Sequence, residues 1–190
     1  MAGMGGARGA ILVISPTTDH EWHHAAILIA ELKEWDVRQS ETLGFDGDEV
    51  RSVFYPDDIE DIRRDSAPPE GCLLLALDGS SPVGCAAYRR LTAHACEVYD
   101  VYVRPTCRGR GIGSRLLQRL VREAKIAGYR AMCLETATFM HEAHRLYTSL
   151  DFQVREPYRS IPAKFEKATM WMQCNLGGKV HRVPDASLGG

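Results

Sequence analysis

Two short runs in this chain carry residue types whose spacing could do chemistry. The first is Arg108-Gly109-Arg110-Gly111-Ile112-Gly113-Ser114. Its three alternate glycines leave the backbone bare of Cβ atoms, so a ligand can approach closely and the chain can take a positive φ. From Ile112, apolar residues recur at Leu116, Leu117, Leu120 and Val121, the spacing of an amphipathic helix, so the glycines sit at a helix N-terminus. First-turn N–H groups without partners and the positive end of the helix dipole together bind phosphate there. Arg108, Arg110 and Arg115 add full charges. No Lys-Ser/Thr pair closes the run as in a Walker A loop, and a dinucleotide fingerprint would need a glycine where Ser114 stands.

The second run is His20-Glu21-Trp22-His23-His24, which matches H-E-x-x-H. In zinc peptidases that spacing puts two histidines on one helix face with the Glu as general base, so a zinc hydrolase using His20, Glu21 and His24 is an alternative to weigh. Against it, the run opens a helix, where fraying is greatest, and no supporting motif supplies a third ligand. Solvent-facing histidines are the expectation, and no metal is called for.

The elements that must position the glycine run can be read on both sides of it. Val98, Val101, Tyr102 and Val103 are β-branched or aromatic, and Pro105 denies the strand its next donor, so Glu97 to Val103 reads as a strand that ends before the glycines. The helix that follows closes at Gly128, and Tyr129 to Thr136 returns as a strand, so the crossover implies a parallel pair. Upstream, Ala10 to Ser15 is a strand candidate and Thr17-Thr18-Asp19 offers N-cap chemistry for a helix from near His20. Asp46 to Asp65 is polar, with a short helix expected from Asp57 to Arg64. Cys72 to Leu77 and Val83 to Arg90 form a hairpin around Asp78 to Pro82, an antiparallel meander with Cys96 to Val103. Thr169 to Leu176 reads as the last strand.

Arg108, Gly111 and Gly113 match R/Q-x-x-G-x-G/A, which resembles the acyl-CoA binding motif of the GNAT superfamily of N-acetyltransferases. Downstream, Leu146-Tyr147-x-x-x-Asp151-Phe152 is similar to that family's L-Y-x-x-x-G-F. The resemblance covers roughly residues 10 to 176. It implies an α/β (α+β) class and the acyl-CoA N-acyltransferase fold: a mixed, mostly antiparallel central sheet with a splayed parallel strand pair and flanking helices. It also implies an N-acetyltransferase that moves the acetyl group of acetyl-CoA to a primary amine, by direct attack in a ternary complex. The acceptor is expected to be a small molecule rather than a protein. A non-catalytic acyl-CoA-binding module is the other reading.

Carried onto this sequence, the resemblance gives acetyl-CoA the backbone of Val101, Tyr102 and Val103 for its pantetheine arm. Arg108, Gly109, Arg110, Gly111, Ile112, Gly113 and Ser114 are left for its phosphates. Met140 stands where many relatives carry a CoA-contacting Asn, which removes one polar contact. An amine with pKa about 10.4 is almost wholly protonated at neutral pH, so a base is needed, and Glu97 on the central strand is the candidate. Tyr147 is the candidate acid for the leaving thiolate, with His141 and His144 on the same helix as rivals for acid or base. Asp151 replaces the family's Gly and must tolerate a left-handed conformation.

At 190 residues and 45% hydrophobic, the chain reads as one globular domain from 10 to 176, between flexible tails at 1–9 and 177–190. A formal net charge of −2 gives no bulk attraction to nucleic acid or anionic membrane. Apolar runs such as Cys72 to Leu77 are too short to span a bilayer and no signal-peptide core opens the chain, so a cytoplasmic monomer or homodimer is expected. The six scattered cysteines read as free thiols.

Overall fold

In a computed structural model that describes residues 10–177, seven strands form one sheet in the order β1-β2-β3-β4-β5-β7-β6. The strands are β1 (Ile11–Ile14), β2 (Cys72–Asp78), β3 (Ser81–Arg90), β4 (Ala95–Val103), β5 (Ala131–Ala137), β6 (Gln153–Val154) and β7 (Thr169–Asn175). The helices are α1 (Asp19–Thr42), α2 (Gly47–Phe54), α3 (Ile59–Asp65), α4 (Ile112–Ile126), α5 (His141–Thr148) and α6 (Ala163–Glu166). Every neighbouring pair is antiparallel except β4 and β5. The expected tails at 1–9 and 177–190 lie, but for Gly177, outside the described residues. Among those described, no helix is long and apolar enough to cross a membrane.

Both faces of the sheet are covered, which explains why β2 is a continuous apolar run and not an alternating one. Leu74 and Ala76 face α4, packing with Leu116, Leu117 and Leu120. Leu73 and Leu75 face α1, packing with Ala25, Leu28 and Leu32. A smaller cluster, Val37, Val50 and Phe165, ties α2 and α6 to α1.

The feature that shapes the molecule is a break in β4. Residues Ala95 to Val98 pair with Ala131 to Leu134 of β5, and beyond Val98 the two strands part. On the other side, Ala87 opposes Tyr99 and Cys85 opposes Tyr102, so Asp100 and Val101 together face Ala86. That extra residue is a β-bulge, and Asp100 takes φ 51 within it. A bulge bends its strand and raises local twist. Here it turns β4 away from β5.

Three local readings are corrected. Helix α2 was not anticipated, because Gly47-Asp48-Glu49 looks like loop. Asp46 caps it by accepting from the amides of Asp48 and Glu49, and Val50 buries its apolar side. The hairpin turn is tighter than Asp78 to Pro82: Asp78 pairs with Ser81, and Pro82 lies inside β3 beside a register shift at Ala76/Leu77. Strand β6 and helix α6 are short pieces with no periodicity to show them.

Candidate active site

The glycine run forms the turn into α4. Gly111 is the N-cap at φ 72 and Gly109 sits at φ 73, conformations that a side chain rarely adopts. A Cβ on either would meet nothing within 4 Å, so backbone conformation and not crowding calls for glycine. Beyond the cap, the first-turn amides of Ile112, Gly113 and Ser114 have no i−4 carbonyl to meet. Ile112 is buried and anchors the turn from below.

The arginines divide their work. Arg108 donates from Nε to the Val103 carbonyl at 3.1 Å and lies 5.7 Å over the Trp35 ring. Arg110 is paired with Asp78 at 2.7 Å, and Arg104 is held by Glu31 and the Pro82 carbonyl. The basic cluster expected around the turn is therefore partly neutralised, and the backbone amides with Arg108 and the exposed Arg115 remain for an anion. Ser114 accepts from Gln118 at 3.2 Å.

Where β4 leaves β5, the β5-facing edge of Tyr99 to Val103 has no strand partner. Val101 and Val103 turn their side chains toward the α4 core, Tyr102 toward α1. The Val103 carbonyl, one of the groups expected for a pantetheine arm, is already taken by Arg108. Beside the split opens a cavity of about 170 Å³ between α1, α2, β4, β5 and α6. Met140 lines it, its sulfur accepting from Thr136 Oγ1 at 3.6 Å.

Glu97 and Tyr147 both line this cavity, coming from β4 and α5. Glu97 is not a solvent-facing strand-end carboxylate: it is 6% exposed and both oxygens are engaged. One accepts from Arg89 Nε at 2.9 Å, the other from the Tyr158 hydroxyl at 2.7 Å. Tyr147 is equally buried, packed on Phe152, and desolvation pushes its phenol well up, so it stays protonated. Its hydroxyl has no hydrogen-bond partner among the described residues. His141 is exposed and His144 is held on the Ala137 carbonyl at 3.0 Å, and neither lines the cavity.

Two carboxylates on the cavity wall were not singled out from sequence. Asp100, turned by the bulge, has no ion-pair or side-chain hydrogen-bond partner among the described residues. Burial pushes its pKa up to about 7, with Arg89 and Lys33 pulling down and Asp57 adding to the rise. Asp36, on the buried side of α1, accepts from the Tyr55 hydroxyl at 2.7 Å, and its other oxygen is buried with no partner. Each left a faint signal. Asp interrupts the β-branched run Val98-Tyr99-Asp100-Val101-Tyr102-Val103, and Asp36 sits next to Val37 on an apolar helix face.

The H-E-x-x-H run serves the fold. Thr18 caps α1, and the Glu21 carboxylate accepts from the amides of Thr17 at 2.7 Å and Thr18 at 3.0 Å, completing a capping box. Those bonds hold its pKa down to about 2. The His20 and His24 rings meet at 4.2 Å, and burial with the neighbouring histidines lowers the His24 pKa. Among the described residues, no group of three or more His, Cys, Asp or Glu is arranged to hold a metal.

Comparison with known proteins identifies the family and the fold. The sequence model of the acetyltransferase (GNAT) family matches residues 29–152. An uncharacterised N-acetyltransferase of Schizosaccharomyces pombe is 33% identical over 108 residues, 56% of this chain and 66% of that protein. An IAA acetyltransferase of Azospirillum brasilense is 38% identical over 93 residues, 48% of this chain and 61% of its own. The chain thus spans less than two thirds of the length of either relative. Among solved structures, an acetyltransferase of the GNAT family from Staphylococcus aureus superposes with a TM-score of 0.67 at 19% identity, over 88% of this chain and all of that one. A Salmonella typhimurium chain solved with its cofactor acetyl-CoA gives 0.58 at 21% identity, over 94% and 99%. At these identities the structures establish the fold alone.

Proposed function

The chain belongs to the acetyltransferase (GNAT) family and has its acyl-CoA N-acyltransferase fold, and from that premise we propose that it transfers the acetyl group of acetyl-CoA to a primary amine. The observation that carries this reading is the split between β4 and β5: an acidic cavity lies beside it, lined by Glu97 to Val101, and the phosphate-suited turn at Gly109–Ser114 follows the end of the same strand. The amides of Ile112 to Ser114 and Arg108 suit a pyrophosphate, and the unpaired edge of β4 suits the amides of a pantetheine arm.

Within the cavity, an amine nitrogen attacks the thioester carbonyl and gives up a proton, and the C–S bond then breaks. Tyr147 donates its phenolic proton to the departing thiolate. For the proton of the amine there are two carboxylates. Glu97 holds the position the family resemblance points to, yet accepting a proton would cost it the bonds to Arg89 and Tyr158. Asp100 is unpaired and titrates near neutrality, which is where a general base works best. We assign the proton to Asp100, with Glu97 holding Arg89 in place.

The test is acetyl-CoA-dependent release of CoA thiol across a panel of amines, alongside calorimetric titration of acetyl-CoA. Binding with turnover supports the proposal. Binding without turnover on any amine leaves a cofactor-binding module, and absence of binding overturns the reading.

A further inference from the structure

The cavity wall is more acidic than acetyl transfer alone requires. Five carboxylates line it, Asp36, Asp57, Glu97, Asp100 and Glu135, against the two cations Lys33 and Arg89. Arg89 is shared, donating to Asp57 at 2.7 Å and to Glu97 at 2.9 Å, with Asp65 a further 4.0 Å away. Glu135 is neutralised by Arg159. Lys33 donates to the Tyr55 carbonyl at 3.2 Å. Even counting Arg159, carboxylates exceed cations by two, and the pair without an ionic partner among the described residues is Asp36 and Asp100.

Asp36 is the more telling of the two. It is 6% exposed, one oxygen accepts from Tyr55, and the other is buried with no partner among the described residues. A polar atom buried without a bond is a cost that a fold rarely carries unless something meets it. The group that would meet it is a donor, and an ammonium is the donor that also answers the charge excess. Asp36 comes from α1 and Asp100 from β4, so the two lie on different elements around one cavity. Leu32, Phe54 and Phe139 also line the cavity and give methylenes an apolar surface. Tyr55 lines the same cavity, and its phenol is raised by burial and then by Asp36, Asp100 and Glu135.

Resting on the acetyl-transfer reading, we infer that the acceptor is a small aliphatic diamine: one nitrogen is acetylated beside Asp100 and the second, as ammonium, is held by the unpartnered oxygen of Asp36. A carboxylate in the place of that ammonium would meet like charge. The cavity therefore selects against amino acids.

The experiment compares kcat/KM for 1,5-diaminopentane, pentylamine and 5-aminopentanoate with the full chain, and titrates 1,5-diaminopentane into the protein without acetyl-CoA. The diamine should exceed pentylamine by at least about tenfold, through KM, and the amino acid should be the poorest. In Asp36→Asn, which keeps an acceptor for Tyr55, the diamine-to-monoamine ratio should fall close to one. Equal rates for diamine and monoamine, a preference for the amino acid, or a ratio unchanged in Asp36→Asn would each overturn the inference. Should no amine be acetylated, the titration decides separately. Diamine binding that Asp36→Asn weakens keeps the cationic site while the transfer reading fails; no diamine binding overturns the site itself.

Discussion

Asp100 and Tyr147 carry opposite ends of the proposed reaction, and their environments predict opposite signatures. The Asp100 pKa near 7 against about 3.8 when unfolded means the folded chain prefers it protonated. Its contribution to stability is therefore full below 3.8 and lost as pH rises to 7. Asp100→Asn should melt higher than wild type at pH 8, with the difference vanishing toward pH 4. The same variant should lower kcat by about 10²- to 10⁴-fold and remove the activity limb near neutrality. Lys33, Asp57 and Arg89 face this group too and should stay unchanged in the comparison. A normal rate in Asp100→Asn, with a large loss in Glu97→Gln at undiminished stability, would return the base to Glu97. Tyr147→Phe removes a hydroxyl that bonds nothing among the described residues, so its melt should barely move. Its rate defect should grow with pH, as solvent protonates the leaving thiolate less and less. Tyr147 was singled out by its motif and Glu97 by its place on the central strand, and both line the cavity. Neither the ties that bind Glu97 nor the freedom of Asp100 was legible, since Arg89, Tyr158 and the bulge are distant in sequence or set by strand pairing.

The turn into α4 invites a test in which stability and binding move apart. Ser114 is the third residue of the helix, where a carboxylate is favoured by the dipole and by the free amides of the first turn. Ser114→Glu should leave the ligand-free protein as stable as wild type or slightly more so. The same charge repels a pyrophosphate, so acetyl-CoA affinity should fall by about tenfold or more, read by calorimetry. Unchanged affinity would move the phosphates elsewhere. At the end of α5, Asp151 takes φ 64, as its place in the family's Gly position led one to expect. Asp151→Gly relieves that strain and should stabilise by about 0.5–1 kcal/mol in urea unfolding, part of the gain being offset by the freer unfolded chain. The strands and long helices were readable because periodicity and caps mark them. Helix α2 escaped because eight residues with one buried apolar position, Val50, carry almost no period, and its stability comes from Asp46 and from packing on α1.

The proposed site lies at a seam where, among the described residues, β4 and β5 cease to pair. Crossover order made the parallel β4–β5 pair predictable, and the meander before it followed from turn residues. The place where the pair splits depends on one residue in excess, Asp100, which strand propensity alone does not locate. The bulge both opens the seam and puts a carboxylate beside it, so on the proposed reading cofactor and acceptor would share a wall; the edge of β4 from Tyr99 to Val103 has no partner on β5. Acetyl-CoA bound there would bridge β4 to the first turn of α4, two elements that the apolar core already joins through Val103 and Leu116. A ligand held only by the folded state adds RT ln(1 + [L]/Kd), about 2.7 kcal/mol at a hundredfold excess. For a domain of this size that is a rise of roughly 5–10 °C in Tm. Amide exchange should slow most from Tyr99 to Val103 and from Gly111 to Ser114, and far less at the β1–β2 edge of the sheet. A uniform slowing across the sheet would mean global stabilisation by binding elsewhere, and no slowing at Tyr99 to Val103 would detach the seam from the cofactor.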